Sequence, residues 1–335
     1  MAGKLLNKLL DEQKQASSGA RLFDLNKQPP AENWVLNIGG KKVGSLGNFI
    51  TISGLPKARK TVFAHAMIAS AVSGSTCLGL SMNLPENKRD VVLLDCEQSE
   101  NSLWNAMQRA KQMGKWDRFP ENMRVWYLRK CSPAENMEIL EKECARSKTG
   151  LIIIDGLLNF IIDFNNVEES HILVKKLMNL VDTYNVMIVN ILHISKSTNF
   201  TVGHLGSLCD RYTQSTLEVV KLENGDSELK AKYMRDDENF EPVTIYWNHN
   251  IENYSVSPSG SYFEDDNLED VNHGTYIDRI FASNDEQDYT NLIKRVKLIY
   301  GKTETFARKK LIPFLLENRY IDKSQGKYKK FTNPF

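Results

Sequence analysis

The chain has 335 residues, 41% hydrophobic and 25% charged, with a formal net charge of +1. That length suits roughly two domains, and the balance is that of a soluble globular protein. The longest apolar stretch, LIIIDGLLNFII, contains Asp155 and is too short to span a bilayer, so no membrane partner is expected. The five cysteines show no CxxC spacing and no histidine in zinc register, a pattern that fits a reducing cytoplasm. The N-terminus lacks the long apolar core of a signal peptide, and the expected location is cytoplasmic.

In chain order, KLLNKLLDEQKQ places Leu5, Leu6, Leu9 and Leu10 at helical spacing, and residues 1–32 read as an N-terminal helical arm. WVLNIGGKKVGSL reads as a hairpin turning at Gly39-Gly40. Buried strands then alternate with helices. NFITISG, DVVLLD, RVWYL, LIIID and VMIVNIL are the strands. KTVFAHAMIASAVSG, ENSLWNAMQRAKQMG, AENMEILEKECARS and EESHILVKKLMNLVDTYN are the helices. Continuous apolar strands separated by helices predict an α/β fold, a mostly parallel sheet covered on both faces. STLEVVKL, ELKAKYMR and PVTIYWN read as antiparallel strands extending its edge, completing a domain over residues 33–251. Residues 252–288 are acidic and rich in Ser, Asn and Asp, and read as a linker.

Residues 289–335 carry 9 Lys and 3 Arg against Glu304, Glu317 and Asp322, so a net of +9 stands against −8 for the rest. A basic appendage of this kind suits a polyanion. YTNLIKRVKLIYG, ETFARKKLIPFLLENRY and the Gly-centred hairpin IDKSQGKYKKF make a small winged-helix pattern over 289–335. Phe306, Leu311, Phe314 and Leu315 can form one apolar face, with Arg308, Lys309 and Lys310 nearer the exposed side. Lys327, Lys329 and Lys330 sit on the wing around Tyr328. These six basic residues are the candidate DNA contacts, with phosphates supplying most of the affinity; protein docking is the other use of such a surface.

NFITISG-LPKARKT-VFAHAMIASA is strand, loop, helix. In that context Gly54, Leu55, Pro56, Lys57, Ala58, Arg59, Lys60 and Thr61 match a phosphate-binding loop, except that Arg59 stands where glycine is usual. Lys60 is expected on the β- and γ-phosphates and Thr61 on Mg²⁺. Arg59 can adopt the loop conformation if its φ is negative, its side chain then running along the phosphates or toward a neighbouring subunit. LIIIDG puts Asp155 at the end of a buried strand, where it can hold Mg²⁺ through water. In VVLLDCEQSE, Glu97 lies just past a strand end and is the candidate general base, with Asp95 as competitor. Each fragment also has a plain structural use: a basic turn, a core strand end, a capping acidic turn.

With these parts in order, residues 33–250 resemble the RecA-like ATPases, in particular the RepA-like hexameric helicases, whose mobile-element members carry a comparable variant loop. The resemblance implies ATP and Mg²⁺ as cofactors, DNA as partner, and self-assembly into a hexameric ring. It implies that His193, at the end of the strand after Asp155, senses the γ-phosphate. It implies that Lys232 and Arg235 are fingers reaching a neighbour's nucleotide, and that GHLGSLCDRYTQS is a flexible central loop facing single-stranded DNA. The expected function is an ATP-dependent DNA motor, helicase or translocase serving replication, mobilisation or excision of a bacterial mobile element. The alternative is a nucleotide-gated DNA-binding adaptor with little or no hydrolysis.

Overall fold

The computed structural model describes residues 22–194, 203–257, 273–282, 284–300 and 304–331. Most of the predicted N-terminal arm, part of the acidic segment and the residues just after Ile194 lie outside these. The chain divides into two compact units.

The first unit, Met1–Lys221 with Ser227–Pro242, opens on the antiparallel hairpin β1 (Trp34–Ile38) and β2 (Lys41–Ser45). Gly39 and Gly40 both have positive φ, as a two-residue hairpin turn of this twist requires. Strands β3 (Phe49–Gly54) and β4 (Leu80–Met82) are separated by helix α1 (Lys60–Ser73), and β4 completes a small sheet with the hairpin. Then come β5 (Asp90–Asp95), α2 (Glu100–Gly114), β6 (Met123–Tyr127), α3 (Pro133–Cys144), β7 (Thr149–Asp155), α4 (Val167–Tyr184) and β8 (Met187–His193). Helix α5 (Gly203–Tyr212), β9 (Ser215–Lys221) and β10 (Ser227–Met234) follow.

The main sheet of this unit runs β10-β9-β3-β8-β7-β5-β6. Its apolar strands are buried on both faces, which is why they read as unbroken hydrophobic runs rather than alternating ones. Phe49, Val92, Leu94, Ile152, Ile154, Ile188 and Leu192 join one core with residues of α3, α4 and α5. The opposite parity, including Ile50, Ile52, Leu93 and Ile153, is equally buried, and α1 packs on these strands. Helices α2, α3 and α4 begin at Ser99, Ser132 and Asn166, whose side chains accept from first-turn amides, so each strand-to-helix turn is fixed locally.

Two expectations are corrected here. Strand β9 is parallel to β3, with Thr51 opposite Thr216 and Gly54 opposite Val219. The antiparallel edge therefore begins one strand later, at β10. GHLGSLCDRYTQS is mostly helix α5 rather than a flexible loop. Leu205, Leu208 and Cys209 recur at helical spacing and are buried in the core beside α4, and Thr213 anchors the exit by donating to the Phe49 carbonyl at 2.9 Å.

The second unit comprises Leu222–Asp226 and Val243–Phe335. Strands β11 (Val243–Asn248) and β12 (Asn253–Val256) pair antiparallel. Helix α6 (His273–Phe281), β13 (Glu286–Asp288) and α7 (Tyr289–Tyr300) precede a helical run made of Glu304–Phe306, a π turn Ala307–Leu311 and Ile312–Glu317. Pro313 has no N–H to give to this run, and the wide π turn accommodates that gap. Strands β14 (Ile321–Ser324) and β15 (Lys327–Lys330) close a three-stranded sheet with β13 in the order β13-β15-β14.

The predicted linker over 252–288 is corrected in part, since β12, α6 and β13 fall within it. Tyr276, Ile277, Ile280 and Phe281 of α6 share a core with Leu292, Val296, Leu311, Leu315 and Tyr328. In the same unit the Arg279 guanidinium is ion-paired with Asp226 and lies 4.4 Å from the Tyr246 ring centroid. No helix among the described residues is long and apolar enough to cross a membrane.

Candidate nucleotide site

Strands β3, β5, β7 and β8 end side by side, and their last residues or the turns just beyond them supply the site. Gly54 ends β3 against β9. A Cβ there would lie 2.4 Å from the Val219 carbonyl oxygen, so glycine is required by close approach. Residues 55–59 then turn the chain into α1. The Ala58 amide donates to the Leu55 carbonyl at 3.2 Å, and Ala58 is buried while Leu55, Pro56 and Lys57 are exposed.

Arg59 is the residue before the first turn of α1 and has φ 75°, ψ 29°, with no side-chain cap on the helix. The condition of a negative φ is not met: the left-handed backbone that glycine adopts freely is kept here by arginine, at a cost of about 1 kcal/mol. Its guanidinium reaches sideways to the Ser227 hydroxyl at 3.4 Å, at the start of β10.

Lys60, only 5% exposed, points inward. Its ammonium donates to the carbonyls of Gly54 at 2.9 Å and Leu55 at 3.0 Å, and meets His193 Nδ1 at 3.0 Å. Burial pulls its pKa down to about 8, against the opposing pull of Glu97 and Asp155. The next residue, Thr61, donates its hydroxyl to Asp155 Oδ2 at 2.7 Å. Burial pushes Asp155 up to about 7, opposed first by that hydrogen bond.

Asp95, the last residue of β5, is fully buried. It accepts from the amides of Glu97 at 3.2 Å and Gln98 at 2.9 Å and from the Gln98 side chain at 2.6 Å. It therefore shapes the turn that presents Glu97, and is not itself presented as a base. Burial raises its pKa, with the Gln98 hydrogen bonds opposing. Glu97 faces the centre of the site. Its two carboxylate oxygens lie 3.3 and 3.4 Å from His193 Nε2, and that hydrogen bond holds its carboxyl below the usual range despite partial burial.

Sequence reasoning missed three participants. A Cβ on Gly156 would lie 2.5 Å from Glu97 Oε1, so the glycine after Asp155 makes room for the carboxylate. The LIIIDG run contained that signal. Gln98 orders the Asp95 turn, and Ser227 receives Arg59; neither was legible without the fold.

The predicted residues do not all converge. Lys60, Thr61, Glu97, Asp155 and His193 come together. Lys232 and Arg235 do not join them. The pairings Ser227 with Lys221 and Met234 with Ser215 put these two at the end of the sheet opposite the loop of their own chain. Lys232 instead pairs with Asp210 at 3.0 Å, and Arg235 donates to the Arg211 carbonyl at 3.3 Å.

In the second unit, Lys309 and Lys329 are exposed. Lys310 lies 5.8 Å from the Phe306 ring centroid. Three other candidate DNA contacts are held by acids: Arg308 by Glu304 at 2.7 Å, Lys327 by Glu286 at 3.2 Å, and Lys330 by Asp278. Tyr328 points into the core rather than outward.

Thr61 and Asp155 present adjacent hard oxygen donors, which suits Mg²⁺. That ion takes few protein ligands and fills its octahedron with phosphate oxygens and water. Among the described residues no group of three or more His, Cys, Asp or Glu could hold a metal ion.

No curated protein matches the chain. Among solved structures, one described as the crystal structure of the RadB recombinase is similar, with 13% identity and a TM-score of 0.44, covering 64% of this chain and 92% of that one. Residues 14–199, more than half of the chain, match the family described as the AAA domain. This chain, with its loop lysine, loop threonine and strand-end aspartate in one place, belongs to the AAA domain family of P-loop ATPases, for which nucleotide-dependent activity is expected.

Proposed function

We propose that this protein is an ATP-dependent, DNA-acting motor or helicase of the RepA-like type, working as a homo-oligomeric ring. The observation that carries the reading is the convergence of Lys60, Thr61, Asp155, Glu97 and His193 at adjoining strand ends. Lys60 and the backbone amides within residues 57–61 bind the triphosphate. Thr61, with Asp155 through water, would hold Mg²⁺, which would supply charge neutralisation for the phosphates. Glu97, a carboxylate facing the site, takes the proton of the attacking water.

Lys232 and Arg235 lie away from their own loop, as residues that act on a neighbouring subunit must. The second unit supports a winged-helix reading, with helices before a basic hairpin and the exposed lysines Lys309, Lys310 and Lys329 to meet duplex phosphates. Replication, mobilisation or excision of a mobile element is the setting that the resemblance suggests.

The rival is a nucleotide-gated adaptor, favoured by Arg59 and its strained backbone. Measuring ATP turnover with and without single-stranded DNA separates the two. The motor reading requires turnover that rises with DNA. ATP binding without turnover in either condition selects the adaptor.

A further inference from the structure

The Lys60 ammonium has three N–H bonds and three partners: the Gly54 carbonyl, the Leu55 carbonyl and His193 Nδ1, at 2.9, 3.0 and 3.0 Å. An ammonium only donates, so His193 Nδ1 accepts. The imidazole proton is then on Nε2, which faces Glu97 at 3.3 and 3.4 Å. One ring therefore joins the phosphate-binding lysine to the candidate base, and Gly156 leaves the carboxylate just enough room to sit there.

We propose that His193 is a positioning residue that competes with the nucleotide for Lys60 and aims Glu97, so that arrival of the phosphates at Lys60 is transmitted to the base through a single imidazole. With these three hydrogen bonds made, the lysine is satisfied and the tautomer is set. When Lys60 turns to a phosphate, Nδ1 loses its donor and the ring is held through Nε2 alone, so imidazole and carboxylate are free to turn together toward the attacking water. The proposal rests on the nucleotide reading above. It differs from a phosphate-sensing histidine in sign: a sensor strengthens nucleotide binding, whereas a competitor weakens it.

Two substitutions split the ring's two contacts. Asn at 193 can keep an acceptor near the Nδ1 position and loses the reach to Glu97. Gln can keep a donor near the Nε2 position and loses the partner of Lys60. Titrate the β,γ-imido analogue of ATP with Mg²⁺ into the full-length chain and its His193→Gln and His193→Asn variants, and measure ATP turnover for each. His193→Gln should bind the analogue about threefold to tenfold more tightly, the scale of one net hydrogen bond. His193→Asn should bind like the unsubstituted chain and turn over roughly tenfold more slowly.

Weaker binding by His193→Gln overturns the proposal and makes the ring a phosphate ligand. On the unsubstituted chain, imidazole ¹⁵N spectra should show the Nε2–H tautomer in the absence of nucleotide and a change on saturation with the analogue. An unchanged imidazole at saturation also overturns it, whether or not the variants fold. Failure of the unsubstituted chain to bind the analogue removes the nucleotide reading itself and this inference with it.

Discussion

The two units carry their candidate functions in different ways. In the first, each side chain of the site is fixed by a specific neighbour: Lys60 by two carbonyls and an imidazole, Thr61 by Asp155, Glu97 by His193 and Gly156. In the second, the charge is spread over exposed lysines, and several of its basic groups already have acidic partners in Glu304, Glu286 and Asp278. A preorganised site loses function when one atom is moved. A diffuse electrostatic surface loses it in proportion to charge removed.

The sharpest break of that contrast is a single carboxylate. Glu97→Gln is nearly isosteric and should leave nucleotide binding intact while lowering turnover by about 10²-fold or more, the usual scale for a lost general base. Steady-state turnover beside a binding titration checks it. Equal turnover would move the base elsewhere, although the buried, triply hydrogen-bonded Asp95 is poorly placed to inherit the role.

On the second unit, no single change should approach that effect. Replacing Lys309, Lys310 and Lys329 together by Ser should weaken duplex-DNA binding and lower the slope of log affinity against log salt by about 3, one for each phosphate no longer neutralised. Nucleotide affinity should not move. An unchanged salt slope would show that this surface meets a protein rather than DNA.

A smaller effect is expected at Arg59. Arg59→Gly removes a left-handed arginine and a long hydrogen bond to Ser227. It should stabilise the nucleotide-free protein by about 0.5–1 kcal/mol, a rise of a few degrees in melting temperature, and still bind ATP. A loss of stability would mean that the guanidinium's interactions outweigh the backbone strain.

A further effect concerns pH. Burial raises the pKa of Asp155 in the folded chain to about 7, well above a free carboxyl. The stability this group contributes is therefore fully present below about pH 4 and lost as pH rises through about 7. Without Mg²⁺, the stability of the unsubstituted chain relative to Asp155→Asn should fall over that window. Melting curves of the two proteins from pH 4 to 8 check the sign, and a difference that stays flat contradicts it.

How much of this was legible depends on what kind of information each feature needs. The parallel strands were legible because burial on both faces leaves uninterrupted apolar runs, as in LIIID and VMIVNIL. The direction of β9 was not, because STLEVVK has the same pattern whether its partner runs parallel or antiparallel. Helix α5 is marked by the helical spacing of Leu205, Leu208 and Cys209, whereas the family resemblance points to a loop there. Helix α6 lies within an acidic, linker-like composition, and only the helical spacing of Tyr276, Ile277, Ile280 and Phe281 marks it.

In the site, spacing located Lys60, Thr61, Asp155, Glu97 and His193. It could not show that His193 joins Lys60 to Glu97, nor that Arg59 is left-handed, since both depend on how three strand ends meet. Lys232 and Arg235 illustrate the limit from the other side: their residue types suit fingers, but only the sheet register shows that they lie far from their own loop.

The central claim is that Lys60 and the loop around it bind ATP. The direct measurement is a calorimetric titration of ATP with Mg²⁺ into the full-length chain and into Lys60→Ala, with circular dichroism confirming that both are folded. Saturable binding to the first and none to the second is the predicted result. Equal affinity in the two folded proteins, or no binding to either, would contradict it.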